Sequence, residues 1–288
     1  MRAARNNTTV ISSSDVADAS ASAMGELFQA IGFEIVDEDS YNRLVEYLET
    51  SGLRTHIERG DAMLHGRCLR LAGGLEVWSV LYERGADFYY ADCRPAFRSR
   101  YIHPIGPWEL IEYDEDGEAI VRGTLEGGVE VAFELQNLTE ISPRLFRAPQ
   151  LRVALAGVAY WAQIGASNAT PSDRLGRFEP AGRLNDYQDD ACESDYIISG
   201  RILAERELQN PLTGARLIWM FVDTGTFRLE VIANSQAISG RARIGSIITA
   251  GIWLQGHVLA ETEISQRYEG VDPDHQVGDS WSGLRRGN

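Results

Sequence analysis

Short apolar runs of alternating pattern, separated by paired glycines, constrain this chain more than any other feature. Leu69 and Leu71 alternate with Arg70, Gly73-Gly74 follows, and Leu75-Glu76-Val77-Trp78-Ser79-Val80-Leu81 resumes. Glu83-Arg84-Gly85 turns into Phe88-Tyr89-Tyr90. Asp114-Glu115-Asp116-Gly117 precedes Ile120 to Leu125, and Gly127-Gly128 leads into Val129 to Leu135. A period of two sets successive side chains on opposite faces of a sheet, and glycine supplies the positive φ of a tight hairpin. Val129, Val131, Phe133 and Leu135 therefore form a core face. The pattern predicts a meander of at least five strands, a first β module over 63–142.

Helices are expected before it. Residues 1–23, rich in Ser, Ala and Asn, read as a flexible leader, and 24–62 as a helical segment. Its first helix runs from about Met24 to Ile31. The second is capped by Asp39 or Ser40, carries the stripe Leu44, Val45 and Leu48, and ends at Ser51-Gly52. Pro149 to Gly165 also reads as helix, apolar on most sides and so buried between two β modules. With the acidic stretch from Ser167 to Ser194 it makes a connection over 143–195.

A second β module is expected over 196–262, with strands at Ile197–Leu203, Leu217–Val222 and Phe227–Ala233. A long run follows from Ile244 to Leu259. As one straight strand that run would reach about 50 Å, so Gly251 and Gly256 are the expected bends. Residues 263–288 read as a flexible tail. Trp78 precedes Arg100 by the interval that separates Trp219 from Arg241, with Gly85 and Gly225 between, which raises the possibility of duplicated modules. The expected fold class is α+β, β-dominated: two small barrel-like (OB-like) modules joined by a buried helix, with N-terminal helices.

Composition narrows the chemistry. The chain has arginine but no lysine, which excludes Schiff-base catalysis, a Walker-loop lysine and a kinase lysine. Codon preference explains that bias, as does avoidance of lysine modification. A net charge of −15 repels polyanions at long range and disfavours bulk nucleic-acid binding. Cys68, Cys93 and Cys192 are odd in number and form no CxxC pair, the usage of a reducing compartment. The N-terminus lacks the apolar core of a secretory signal, and Val153 to Ala162 is about half a membrane span. The expectation is a cytoplasmic protein without membrane contact.

At the second module the residues carry a resemblance. Asp195-Tyr196, Gly200-Arg201-Ile202-Leu203, Asn210-Pro211-Leu212-Thr213-Gly214, Val231-Ile232-Ala233, Gly245 and Ile252-Trp253-Leu254-Gln255-Gly256 stand in that order. This resembles a family of bacterial proteins with no assigned activity, whose members pair a β-rich N-terminal half with a C-terminal module ending in a Trp-Leu-x-Gly strand. Leu75-Glu76-Val77-Trp78 and Arg94-Pro95-Ala96-Phe97 are similar more loosely, and 167–194 departs from the pattern. The resemblance implies architecture and a cytoplasmic setting, and supplies no catalytic residue.

Catalytic signatures are missing: no G-x-S-x-G, S-x-x-K, G-x-G-x-x-G or H-E-x-x-H occurs. Three constellations remain. Trp253, Gln255 and His257 share a strand face by period two, offering an indole, an amide and an imidazole to a ligand; the alternative is a core tryptophan beside a surface histidine. Arg94, Arg98 and Arg100 surround Phe97 and Tyr101, with Arg241 and Arg243 in the corresponding place of the second half. Guanidinium groups among aromatics grip single strands and other anions, although hairpin-edge arginines also serve solubility alone. Asp186, Asp189, Asp190, Glu193 and Asp195 supply the oxygens that hard cations want, in no EF-hand spacing, so a solvated loop competes with a metal site.

These observations point to a binding or adaptor protein rather than an enzyme, acting through protein–protein contacts, alone or as a homodimer, with no cofactor expected. Two alternatives stay open. One is recognition of a single-stranded nucleic acid or other polyanion through the arginine–aromatic edges. The other is a cation-dependent hydrolase built on the acidic loop.

Overall fold

Asp37, just ahead of the expected cap, opens the longer helix. The computed structural model describes residues 25–113, 117–165, 176–183 and 192–260. The leader, the tail beyond 260 and most of the acidic loop lie outside them. A short helix α1 covers 25–30 and α2 covers Glu38–Ser51. Asp37 Oδ1 accepts from the Ser40 N–H at 2.7 Å, and Ser40 Oγ accepts from the Asp37 N–H at 3.1 Å. Ser40 is thus the return half of a capping box, not the cap itself. Leu44 and Leu48 bury the apolar stripe, and the Gly52 N–H closes the helix onto the Leu48 carbonyl at 2.7 Å.

Four consecutive antiparallel strands follow: β1 (Leu53–Arg59), β2 (Ala62–Arg70), β3 (Leu75–Arg84) and β4 (Asp87–Phe97). β1 escaped the sequence reading because its side chains are mostly exposed or half-buried, so no apolar face alternates along it. Helix α2 anchors on this sheet through Glu49, which accepts from Ser79 Oγ at 3.1 Å and from Arg67 Nε at 3.0 Å. The same face carries Leu75, Val77, Cys93 and Phe97 into a core shared with Phe28, Ile31, Leu44 and Leu48.

The second sheet holds β5 (Ile102–Tyr113), β6 (Glu118–Leu125), β7 (Glu130–Leu135), β8 (Leu151–Gly165), β9 (Arg177–Pro180), β10 (Asp195–Gln209), β11 (Arg216–Asp223), β12 (Arg228–Asn234), β13 (Ile238–Ser239) and β14 (Ile247–Val258). The expected connecting helix is therefore a strand, β8. Both of its faces are buried. Leu151, Val153, Leu155 and Ala159 enter one core, while Ala156 and Val158 enter the other. A strand covered on both sides reads as a continuous apolar run, and its length then favoured helix.

β8 and β14 pair antiparallel from Ile247↔Gly165 to Val258↔Val153. On its other edge β8 serves three different neighbours: Leu151 to Ala154 pair with β5, Ala156 to Ala159 with β12, and Ala162-Gln163 with β13. β14 divides likewise, its first half pairing with β10 and Gln255-Gly256 with β7. The pairings close two five-membered circuits, β5–β6–β7–β14–β8 and β10–β11–β12–β8–β14. Both circuits run through the same two strands. The hairpins bearing Trp78 and Trp219 thus occupy different settings, the first in the open four-stranded sheet and the second in a circuit.

Of the two glycines expected to bend β14, Gly251 sits at a slip in its register with β8 and Gly256 in its short pairing with β7. Register slips between Gly251 and Ile252, and a Cβ on Gly251 would stand 2.5 Å from the Trp161 indole. At Gly256 a Cβ would collide with the Phe133 ring.

Candidate functional site

Trp253, Gln255 and His257 do share one face of β14, as expected from their spacing, and that face is buried. Gln255 Nε2 donates to the Pro95 carbonyl at 3.0 Å. Its Oε1 accepts from the Phe97 N–H at 3.2 Å and from Gln136 Nε2 at 2.5 Å. Asn137 Oδ1 accepts from the Val258 N–H at 3.0 Å, its Nδ2 donates to the Val258 carbonyl at 2.9 Å, and the same amide lies 3.3 Å from His257 Nε2. Trp253 donates to Glu134. Gln255 ties β14 to the backbone at the end of β4, whereas Trp253 and His257 meet the side chains of Glu134 and Asn137. All three engage the protein itself.

The arginine set is divided in the same way. Arg94 is buried, with Nη1 2.6 Å from Glu134 Oε1 and Nη2 donating to the Gly117 carbonyl. Burial pushes the Glu134 carboxyl up to about 7, against the pull of Arg94. Arg98 is buried too, its Nε 2.8 Å from Glu76 Oε1, and the other Glu76 oxygen accepts from Trp78 Nε1 at 3.0 Å. Arg100, Arg241 and Arg243 are exposed. Arg100 is held by its N–H to Glu230, which stands opposite Ala156, whereas Arg241 follows Gly240, packed on Ile164. Eight residues of strand separate those levels, roughly 26 Å. The fold does not gather these guanidinium groups into one surface.

Of the carboxylates proposed for a cation, Asp186, Asp189 and Asp190 lie outside the described residues. Glu193 accepts from Arg122 Nε at 2.9 Å, and Arg122 also holds Glu109. Asp195 accepts from the Tyr160 hydroxyl at 2.9 Å and from the Cys192 N–H at 3.0 Å. Among the described residues no group of three His, Cys, Asp or Glu could hold a metal ion. Burial, then Asp195, push the Cys192 thiol up to about 11, so it is a protonated and poor nucleophile near neutrality.

Two surfaces escaped the sequence reading. An open groove of about 430 Å³ runs beside β1, lined by Arg54, Thr55, His56, Thr139, Glu140, Ile141 and Ala260. The other is the start of β4. Phe88, Tyr89 and Tyr90 are 60%, 56% and 43% exposed, three adjacent aromatics at the outer strand of the first sheet. Gly85-Ala86 makes a two-residue loop with φ +67° at Gly85, closed by the pair Arg84↔Asp87. The closing pair of such a loop exchanges both backbone bonds, so the next residue, Phe88, turns its N–H and C=O away from β3. Ala91 has no opposite number in the register, a bulge that sets 87–90 off from the remainder of β4. The sequence signal was present: three aromatics in succession cannot all enter one core when side chains alternate.

Among the described residues no helix is long and apolar enough to cross a membrane. Comparison with protein-family models, with curated proteins and with solved structures finds no match to this chain.

Proposed function

We propose that this chain is a cytosolic protein-binding module and that the outer edge of β4 is the surface it presents to partners. The observation that carries the reading is the aromatic triplet Phe88-Tyr89-Tyr90, exposed on a strand that no described strand covers. Aromatic side chains are enriched at interface centres, because they bury a large area with few rotatable bonds. An outer strand adds main-chain hydrogen bonds to any extended segment laid beside it. The rest of the architecture supports this division of labour. The polar residues of the β14 seam and of the Arg94–Glu134 pair hold the sheets together, which leaves an edge as the reactive feature. We also read the two closed circuits as small barrels of the OB-like kind, a scaffold that accommodates many binding roles.

Photo-crosslinking in the native host tests the proposal. With a benzoylphenyl probe at position 89, a defined protein adduct is expected, and Phe88→Asp should abolish it. A probe at position 56, in the β1 groove, is the comparison. Adducts that form only from position 56 would overturn the reading.

A further inference from the structure

The face of the first sheet that carries helix α2 is covered over only part of its length. Leu44 and Leu48 share a core with Leu69, Val77 and Cys93, and Glu49 reaches Arg67 and Ser79. Towards the Gly85 hairpin the same face continues through two more rows, His65–Leu81–Tyr90 and Met63–Glu83–Phe88. None of their side chains joins that core. Phe88 and Tyr90 keep 60% and 43% of their surface exposed, although the reverse side of these rows, with Leu64 and Tyr82, is buried.

We propose that Phe88, Tyr90 and Glu83 form a site for an arginine side chain of a protein partner, the guanidinium lying between the two rings with the carboxylate at its end. The inference rests on the protein-binding reading above and adds the partner's chemistry.

Spacing is the first argument. Phe88 and Tyr90 stand at alternate positions of one strand, so their side chains leave the same side of the sheet about 6.8 Å apart. A flat group touching a ring on each of its faces needs about 7 Å. Guanidinium is the flat cation among the side chains, and it stacks on aromatic faces.

Charge is the second. Glu83 is the residue opposite Phe88 on β3. His65 Nε2 lies 2.7 Å from Glu83 Oε2 and orients the carboxylate, while Oε1 accepts from no described residue. A guanidinium between the rings can donate to that oxygen, adding a charge-assisted bond to the attraction of each ring. Glu58 belongs to the same row as Glu83, and no arginine stands in either row, so the local field is negative. The net charge of −15 has the same sign and steers a basic segment towards the chain. Arg84 does not supply the cation. It follows Glu83 and so projects on the reverse side of β3, with Nε 3.4 Å from Asp61.

Chemical-shift titration of the full chain tests the proposal with two short Thr/Val peptides that differ only at a central arginine or citrulline. Citrulline keeps the flat shape and loses the charge. Saturable shifts centred on Phe88 and Tyr90 are expected with the arginine peptide, and at least about fivefold weaker binding with citrulline. Binding should weaken between about 20 and about 200 mM salt. Phe88→Ala and Glu83→Gln should each weaken the arginine peptide at least about threefold, through loss of one ring face or of the charge. Tyr113→Ala, which removes an exposed aromatic on β5, should leave it unchanged.

No binding of the arginine peptide, or equal affinity for citrulline, overturns the cation assignment. Arginine binding indifferent to both Phe88→Ala and Glu83→Gln overturns it as well, because the site then lies elsewhere. The adduct captured from position 89 in the native host separates this inference from the reading beneath it. A captured segment without arginine overturns the inference and leaves the protein-binding reading standing. The lack of any captured protein removes that reading, whatever the peptides do.

Discussion

The indole Nε1 of Trp219 donates to Oε2 of Glu230 at 2.7 Å, while the other oxygen of that buried carboxylate gathers the segment that leaves the first sheet. Oε1 accepts from the Arg100 and Tyr101 N–H groups, each at 2.7 Å, and from Ser99 Oγ at 2.9 Å. Burial raises the Glu230 pKa, and these four donors pull it back. One carboxylate thereby fixes the joint between β4 and β5 onto β11 and β12.

Glu230→Ala should destabilise the chain by about 2–4 kcal/mol, because four donors, those of Ser99 and Trp219 buried, lose their acceptor together. Glu230→Gln keeps one acceptor oxygen and should lose less than half as much. Urea denaturation followed by tryptophan fluorescence measures both; equal stability of the Ala variant and the parent would refute the assignment.

Gly256 lies against the Phe133 ring, where a Cβ has no room. Gly256→Ala is expected to lower stability by about 1–3 kcal/mol through overpacking. Phe133→Leu should rescue part of that loss in the double variant, since the obstructing ring is removed. Strictly additive losses in a double-mutant cycle would show that the two positions do not touch.

His103 sits between the Tyr101 and Phe227 rings, at centroid distances of 4.9 and 5.7 Å. Burial lowers its pKa to about 4 from the ordinary 6.5. The unfolded chain then binds the proton first, so stability falls as pH drops from 6.5 towards 4, by up to about 3 kcal/mol. His103→Asn should flatten that dependence. Urea midpoints collected between pH 4.5 and 7.5 for parent and variant provide the comparison.

Glu134 acts with the opposite sign. Its folded pKa, near 7, lies above the ordinary carboxyl value of 4.5, so between those values the folded chain holds the extra proton. That contribution favours folding as pH falls from 7 to 4.5 and vanishes as pH rises through 7. Glu134→Gln removes that proton uptake, and the variant should lose stability more steeply than the parent on acidification through that window. Parallel pH profiles would rule it out.

The strands of the meander and of the second module were legible because one face of each is apolar and glycine turns bound them. Val131, Phe133 and Leu135 enter the core as their alternation requires. β8 was not legible, because Leu151, Ala154, Ala156 and Val158 are all buried and the run shows no polar face to set its period. β1 failed for the reverse reason, with no apolar face to mark it. At the candidate sites, spacing correctly placed Trp253, Gln255 and His257 on one side of a strand, yet spacing carries no information on what covers that side. Arg94 and Arg98 show the same limit. Their partners, Glu134 and Glu76, stand 40 and 22 positions away in sequence. Only the folded topology reveals that these cations are neutralised internally.

Since β8 and β14 each belong to both rings, the second sheet has no line along which it can be divided. A fragment ending before residue 195 lacks a wall of its own N-terminal ring, and a fragment beginning there lacks β8. Neither half can be inherited, transplanted or expressed alone as a finished unit, and anything that loosens one ring reaches the other through a common backbone.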